Sequence, residues 1–206
     1  MKTPTTSRRA GMTLVEVMLA ASIFGMVMAA ATTWMLSMLD ICGMSTGVAL
    51  VSRDMRSLTA AMTDEGRNAN SFIIYNSFTD RTRVSSISSG GDYLVLNISD
   101  AAGDTERTVG YYRDAGANNE GPVRKHDSAA GGPAAGTLPS TSTVQAWPEV
   151  VELSRGLSGT EQKLFCNYGS QSFMVGGQII QKGARKQGTW ENRATSTYNF
   201  TITPRS

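Results

Sequence analysis

Cysteine, histidine and proline are scarce in this chain of 206 residues, at two, one and six. Two cysteines, Cys42 and Cys166, exclude a disulfide-dense scaffold and a four-thiolate zinc site. A single bridge between them is chemically allowed outside the cytoplasm. Two separate, semi-buried thiols are the alternative, because bridging needs closely spaced Cα atoms. The single histidine, His126, stands beside Asp127, so a Ser-His-Asp hydrolase would have only this base. Gly156-Leu157-Ser158-Gly159 lacks the G-x-S-x-G spacing of a nucleophile elbow. No phosphate-binding loop, dinucleotide fingerprint, zinc motif or EF-hand occurs. No catalytic residue, cofactor or metal is therefore assigned. Asp100, Asp104 and Glu106 could line a calcium turn but read as a solvated polar one. Tyr111, Tyr112, Trp147, Trp190 and Tyr198 read as sheet packing. An excess of charge of one sign is also missing. Of 19 basic residues three, Lys2, Arg8 and Arg9, precede Gly11, which leaves 16 against 17 acidic ones. A basic surface able to capture nucleic acid is not expected.

What the chain does have is one long run without charge. Val17 to Leu39 contains no ionisable residue, and Asp40 follows directly. As a helix this run is about 35 Å long, sufficient for a bilayer's hydrocarbon core. Lys2, Arg8 and Arg9 before it place the N-terminus in the cytoplasm and the remainder across the membrane. A secretory signal puts its small-residue cleavage site after the apolar region. Here Ala10 and Gly11 stand before it, so cleavage would remove the basic segment and keep the helix. Ala20, Ala21, Ser22, Gly25 and Ala29 to Ala31 make the run rich in small residues, which let apolar helices approach one another.

The segment Gly11-Met12-Thr13-Leu14-Val15-Glu16-Val17 resembles the processing motif of type IV prepilins and type II secretion pseudopilins. The resemblance implies that a prepilin peptidase cuts between Gly11 and Met12 and that the new terminus at Met12 is N-methylated. Met12 departs from the usual Phe but keeps a large apolar side chain. Glu16 matches the family's negative fifth mature residue, and the resemblance implies that it meets the Met12 amine of a neighbouring subunit during assembly. Physical chemistry agrees: an ionisable group at the start of a lipid-spanning helix is costly unless paired, and the positive end of the helix dipole favours a carboxylate. The implied partners are the peptidase, other pilins or pseudopilins, and an inner-membrane assembly platform. Many major pilins carry a proline near the middle of this helix. None occurs here, so any local melting would centre on Gly25.

After Asp40 the pattern turns amphipathic, with Leu50, Val51, Met55, Leu58 and Met62 three or four apart. This predicts that the helix continues to about Gly66. Six strand-like runs follow: 71–75, 93–98, 107–112, 150–153, 164–168 and 198–202. Turns are expected at Gly90-Gly91-Asp92, 100–104 and Asp114-Ala115-Gly116. The stretch 115–144, rich in Gly, Ala, Pro, Ser and Thr, reads as a long mobile loop. The expectation is an α+β, pilin-like fold: leader 1–11, membrane and assembly helix 12–39, and a periplasmic head 40–206 with an antiparallel sheet on the helix. The order of elements is similar to J-type minor pseudopilins and W-type minor pilins. An inner-membrane, single-pass subunit of a filament is the leading reading. A periplasmic enzyme or binding protein merely anchored by the helix would not need Gly11 with Glu16. A DNA-uptake pilin would need a basic stripe drawn from residues such as Arg124, Lys125, Lys182, Arg185 and Lys186.

Overall fold

A computed structural model describes residues 12–169, 171–186 and 189–205, and the expected leader with Gly11 lies outside them. The fold is α+β. Among the described residues one α-helix, α1 (Leu14–Asn68), is followed by nine antiparallel strands. The chain forms two units, 1–45 and 46–206.

In the first unit every described side chain from Met12 to Leu39 is exposed, including Leu14, Ile23, Phe24, Trp34 and Leu36. A helix apolar on all sides needs lipid or other apolar helices around it. The few polar groups within it are satisfied by its own backbone. Ser22 Oγ donates to the Met18 carbonyl at 2.7 Å and Thr33 Oγ1 to that of Ala29 at 2.9 Å, which leaves no hydroxyl seeking water inside a bilayer. The helix runs unbroken through Gly25, where an added Cβ would meet nothing within 4 Å.

In the second unit α1 buries Val51, Leu58 and Met62 at helical spacing, with Met55 packed beside them. The helix passes Gly66 and ends at Asn68. Gly66 is therefore a point of close packing rather than a terminator. A Cβ there would lie 2.8 Å from Ile202 Cγ2 and 3.3 Å from Phe173 Cζ.

The strands are β1 (Ser71–Tyr75), β2 (Gly90–Gly91), β3 (Tyr93–Ser99), β4 (Thr105–Arg113), β5 (Glu120–Asp127), β6 (Glu149–Gly156), β7 (Phe165–Asn167), β8 (Phe173–Lys186) and β9 (Thr189–Ile202). Their order is β1-β3-β4-β5-β6-β8-β7-β2, with β9 beside β8. Only Asp92 separates β2 from β3, although they stand near opposite ends of that order, so the sheet curls on itself. Gly90-Gly91 forms this short strand instead of only a turn. A Cβ at Gly91 would sit 2.1 Å from the Tyr75 carbonyl oxygen, a distance that requires glycine.

The two faces of the sheet carry two cores. Leu94, Leu96, Val109, Tyr111, Phe173 and Ile202 belong to the core of the α1 stripe. Tyr75, Phe78, Tyr93, Val95 and Tyr112 form a second cluster, covered by Leu138, Val144 and Trp147. That cover corrects the expected loop at 115–144. The stretch contains β5, and beyond it the chain folds back: Tyr112 donates to the Val144 carbonyl and Arg81 to that of Pro139. Apolar alternation could not reveal β5, because Lys125 and Asp127 on one face and Arg124 and His126 on the other are charged or polar groups paired in place. β8 was equally hidden, since Gly176 and Gly177 interrupt its apolar run.

Candidate functional site

The start of α1 is a capping box, and its construction begins with sequence. Thr13-Leu14-Val15-Glu16 has a hydroxyl three residues before a carboxylate, the spacing that lets each satisfy the other's backbone N–H. The structure shows the full exchange. The Thr13 amide donates to Glu16 Oε2 at 2.9 Å, Thr13 Oγ1 donates to the same oxygen at 3.1 Å, and the Glu16 amide donates to Thr13 Oγ1 at 3.3 Å. The Val17 amide closes the first helical bond to the Thr13 carbonyl at 3.3 Å. The carboxylate is thus held at the positive end of the helix dipole, on the turn next to Met12. Met12 itself is three-quarters exposed. Of the expected site residues, Met12 and Glu16 fall on this turn, while Gly11 lies outside the described residues. Thr13 was missed, although its spacing from Glu16 was a readable signal.

The residues considered for chemistry are dispersed. His126 is buried on β5, where its Nε2 meets the Tyr93 hydroxyl at 2.8 Å, and burial pushes its pKa down to about 4. Its place is a strand under the second core, not a loop. Ser158 is also buried, and its hydroxyl donates to the Gly176 carbonyl at 3.3 Å. Serine and histidine have separate partners. Asp100 Oδ1 accepts from the Ala102 amide at 2.9 Å and the Asp104 amide at 3.0 Å, closing its own turn. Among the described residues no group of three or more His, Cys, Asp or Glu could hold a metal ion. Cys166 is buried in β7 and Cys42 is exposed on α1. A cleft of about 420 Å³ beside β1 includes Asn70, Arg83, Ser85, Asn167 and Arg205 in its lining, with no carboxylate, histidine or thiol side chain among the described residues.

Two buried charge clusters are structural. Glu65 on α1 accepts from Lys125 Nζ at 2.6 Å, Arg107 Nη2 at 3.1 Å and the Tyr111 hydroxyl at 2.5 Å. Arg107 also donates through Nε to Asp127 Oδ1 at 2.9 Å, which holds the Asp127 carboxyl down at about 2. Burial and the Glu65 carboxylate push the Tyr111 hydroxyl well above the usual phenol range. Arg113 and Asp92, both almost fully buried, pair at 2.8 Å, and Lys163 adds a contact at 3.3 Å. Arg124 pairs with Glu149 at 2.6 Å. Arg124 and Lys125 are thus engaged internally and contribute to no open basic stripe.

Residues 6–32 match the family described as the prokaryotic N-terminal methylation motif. The match supports a type IV pilin-like protein, with processing and assembly of that kind, and a structural subunit rather than an enzyme. It spans the capping box and much of the apolar run. No curated protein and no solved structure matches the chain.

Proposed function

Starting from a type IV pilin-like chain with a membrane-anchoring helix, we propose that it is a minor structural subunit of a type IV pilus or a type II secretion pseudopilus. In this reading prepilin peptidase removes 1–11 by cutting between Gly11 and Met12, and Met12 becomes the N-methylated terminus. The helix 12–39 crosses the inner membrane once, and the head faces the periplasm. Assembly proceeds through the helix, from the membrane platform, with other pilins or pseudopilins. A W-type minor pilin or J-type minor pseudopilin is the subtype supported by the order of a long helix, a Gly-Asp-Tyr-Leu-Val-Leu strand and a large β head.

The observation that carries the reading is the Thr13–Glu16 box at the mouth of an exposed apolar helix, inside the matched methylation motif. A bitopic enzyme has no use for a carboxylate at that position. A filament subunit does, because each Met12 amine entering an apolar helix bundle needs a counter-charge, and stranding one buried partner costs about 3–5 kcal/mol. Intact-mass analysis of the membrane fraction tests the processing step. The expected species begins at methylated Met12 in cells with active peptidase and retains residues 1–11 in cells without it. Retention of the leader in both would overturn the assignment.

A further inference from the structure

The sheet curls toward closure but leaves a seam. β1 stands at one end of the strand order, paired with β3 alone among the strands, while β7 and β2 stand at the other. At the Tyr75 end of β1 the seam is shut. Gly91 of β2 lies against the Tyr75 carbonyl, and the segment 82–84 pairs alongside: the Asn76 amide donates to the Thr82 carbonyl at 3.0 Å and the Val84 amide to the Ile74 carbonyl at 2.9 Å. There the pairing stops. The Val84 carbonyl accepts from Asn167 Nδ2 of β7 at 2.5 Å, and the chain then leaves β1, with the Ser88 amide donating to the Asn167 carbonyl at 3.2 Å. Next to this point lies the cleft of about 420 Å³, which Phe72 and Ile73 of β1 line together with Asn167.

In an antiparallel ladder alternate residues turn both main-chain groups to the same side. The bond from Val84 shows that Ile74 turns its carbonyl away from β3, so Phe72, two residues earlier, also turns outward. Its N–H and C=O face the seam, and no described backbone group there pairs with either. Two cations frame this free edge. The Arg205 amide donates to the Ala69 carbonyl at 3.1 Å, just before β1, and Arg83 stands opposite Tyr75 at its end. Phe72 is midway, three residues or about 10 Å from each level. Both arginines are exposed, both line the cleft, and among the described residues neither makes an ion pair.

We propose that the seam is a docking site for an extended acidic segment of another protein, which adds to β1 as a further strand. The incoming chain continues the line begun by 82–84 and exchanges two main-chain bonds with Phe72, while carboxylates two residues to either side reach Arg83 and Arg205. Main-chain bonds of this kind supply affinity and side-chain pockets supply specificity. Charge complementarity selects the occupant, since the described lining offers two guanidinium groups and no carboxylate side chain. A small inorganic anion would use the arginines and leave the Phe72 groups unmatched. Nucleic acid has no donor and acceptor repeating at the spacing of a strand. The inference concerns the head, 46–206, and goes beyond the filament reading without depending on what the helix assembles into.

The test uses the full chain in detergent micelles and a fluorescein-labelled, end-blocked heptapeptide, Thr-Asp-Val-Thr-Val-Asp-Thr, followed by fluorescence anisotropy. Saturable binding is expected, with exchange of the amides in 71–75 slowed by the peptide in hydrogen-exchange mass spectrometry. A peptide with Lys in place of both Asp should bind many-fold more weakly, and one N-methylated at its central Thr several-fold more weakly. Arg83→Gln and Arg205→Gln should each weaken binding by about two- to fivefold, the range of an exposed ion pair, with the melting midpoint unchanged. The peptide comparisons need no variant, so a folding defect in either one leaves the test intact. Absence of saturable binding, equal binding of the lysine peptide, or binding that leaves exchange in β1 unchanged overturns the proposal and leaves the arginines as protection of an exposed edge. Binding indifferent to N-methylation and competed by inorganic phosphate overturns it in favour of a simple anion site. Tighter binding of single-stranded DNA than of the acidic peptide, through the same arginines, overturns it in favour of nucleic acid.

Discussion

At the scale of single residues, Glu16 has two duties that substitution can separate. As the fourth residue of the capping box it holds the Thr13 amide and hydroxyl, and as a carboxylate it is the proposed counter-charge for Met12. Glu16→Gln keeps the hydrogen-bonding shape, since glutamine also closes a capping box, but removes the charge. Glu16→Val removes both. Each variant is expected to insert as well as the parent, because a costly group has left the bilayer, and each is expected to lose crosslinking between subunits through a cysteine near the helix start. Crosslinking that survives in Gln but not in Val would assign the role of Glu16 to the cap alone. Thr13→Ala weakens the cap by about 1 kcal/mol and should reduce the same crosslinking without abolishing it. His126 gives a second residue-level expectation, on stability. Its folded pKa of about 4 lies below the ordinary 6.5, so the fold favours the neutral ring. The associated stability is complete above about pH 6.5 and drains away as pH falls toward 4, by at most about 1.4 kcal/mol per unit. With no second histidine in the chain, the melting midpoint should fall more between pH 7 and 4.5 in the parent than in His126→Asn. Parallel curves would show that the ring is not the group protonated.

At the scale of elements, α1 is fastened to the sheet by a polar clasp and by close packing, and both can be probed. Glu65→Ala strands the Tyr111 hydroxyl, which is fully buried, whereas Arg107 and Lys125, a third and a quarter exposed, can turn to water. The loss should therefore be near the cost of one unsatisfied buried hydroxyl, about 1–3 kcal/mol, rather than that of a stranded ion. Glu65→Gln should lose less, because the amide oxygen still accepts from Tyr111; equal losses in chemical denaturation would place the stabilisation in charge alone. Two glycines of the same helix should respond in opposite directions. Gly25→Ala meets empty space and gains helix propensity of about 1 kcal/mol. Gly66→Ala gains the same propensity but drives a methyl into Ile202 and Phe173, an overpacking cost of about 1–3 kcal/mol. A stabilised Gly66→Ala head, measured by thermal melting, would mean that the helix and strands can part at little cost.

For the molecule as a whole, legibility followed whether a segment's pattern came from burial or from pairing. The apolar run, the stripe Val51–Leu58–Met62 and strands such as Tyr93–Ser99 bury apolar side chains at the period of their own element, and were readable. β5 was not, because Lys125 and Asp127 are tied to Glu65 and Arg107, residues remote in sequence. β8 was not, because Gly176 and Gly177 stand where Ser158 and Tyr198 come too close for a side chain. Of the capping box, Glu16 stands out in the sequence as the one charge between Gly11 and Asp40, whereas Thr13 is legible only through its three-residue spacing from it. The packing of Gly66 against Phe173 and Ile202 has a consequence in time. The helix stripe leaves the ribosome early, but Phe173 and Ile202, which pack against Gly66, lie on the last two strands of the sheet, with nearly the whole head between. At about 5–20 residues per second, Leu58, Met62 and Gly66 wait roughly seven to thirty seconds for Ile202 to be synthesised. Throughout that interval the growing chain is an anchored helix with an incompletely covered apolar flank, open to capture by chaperones or by another unfinished head. Pulse-labelled chains halted before β9 should accordingly be degraded or retained by a chaperone, and chains halted far enough beyond Ile202 for it to leave the ribosome should be protected.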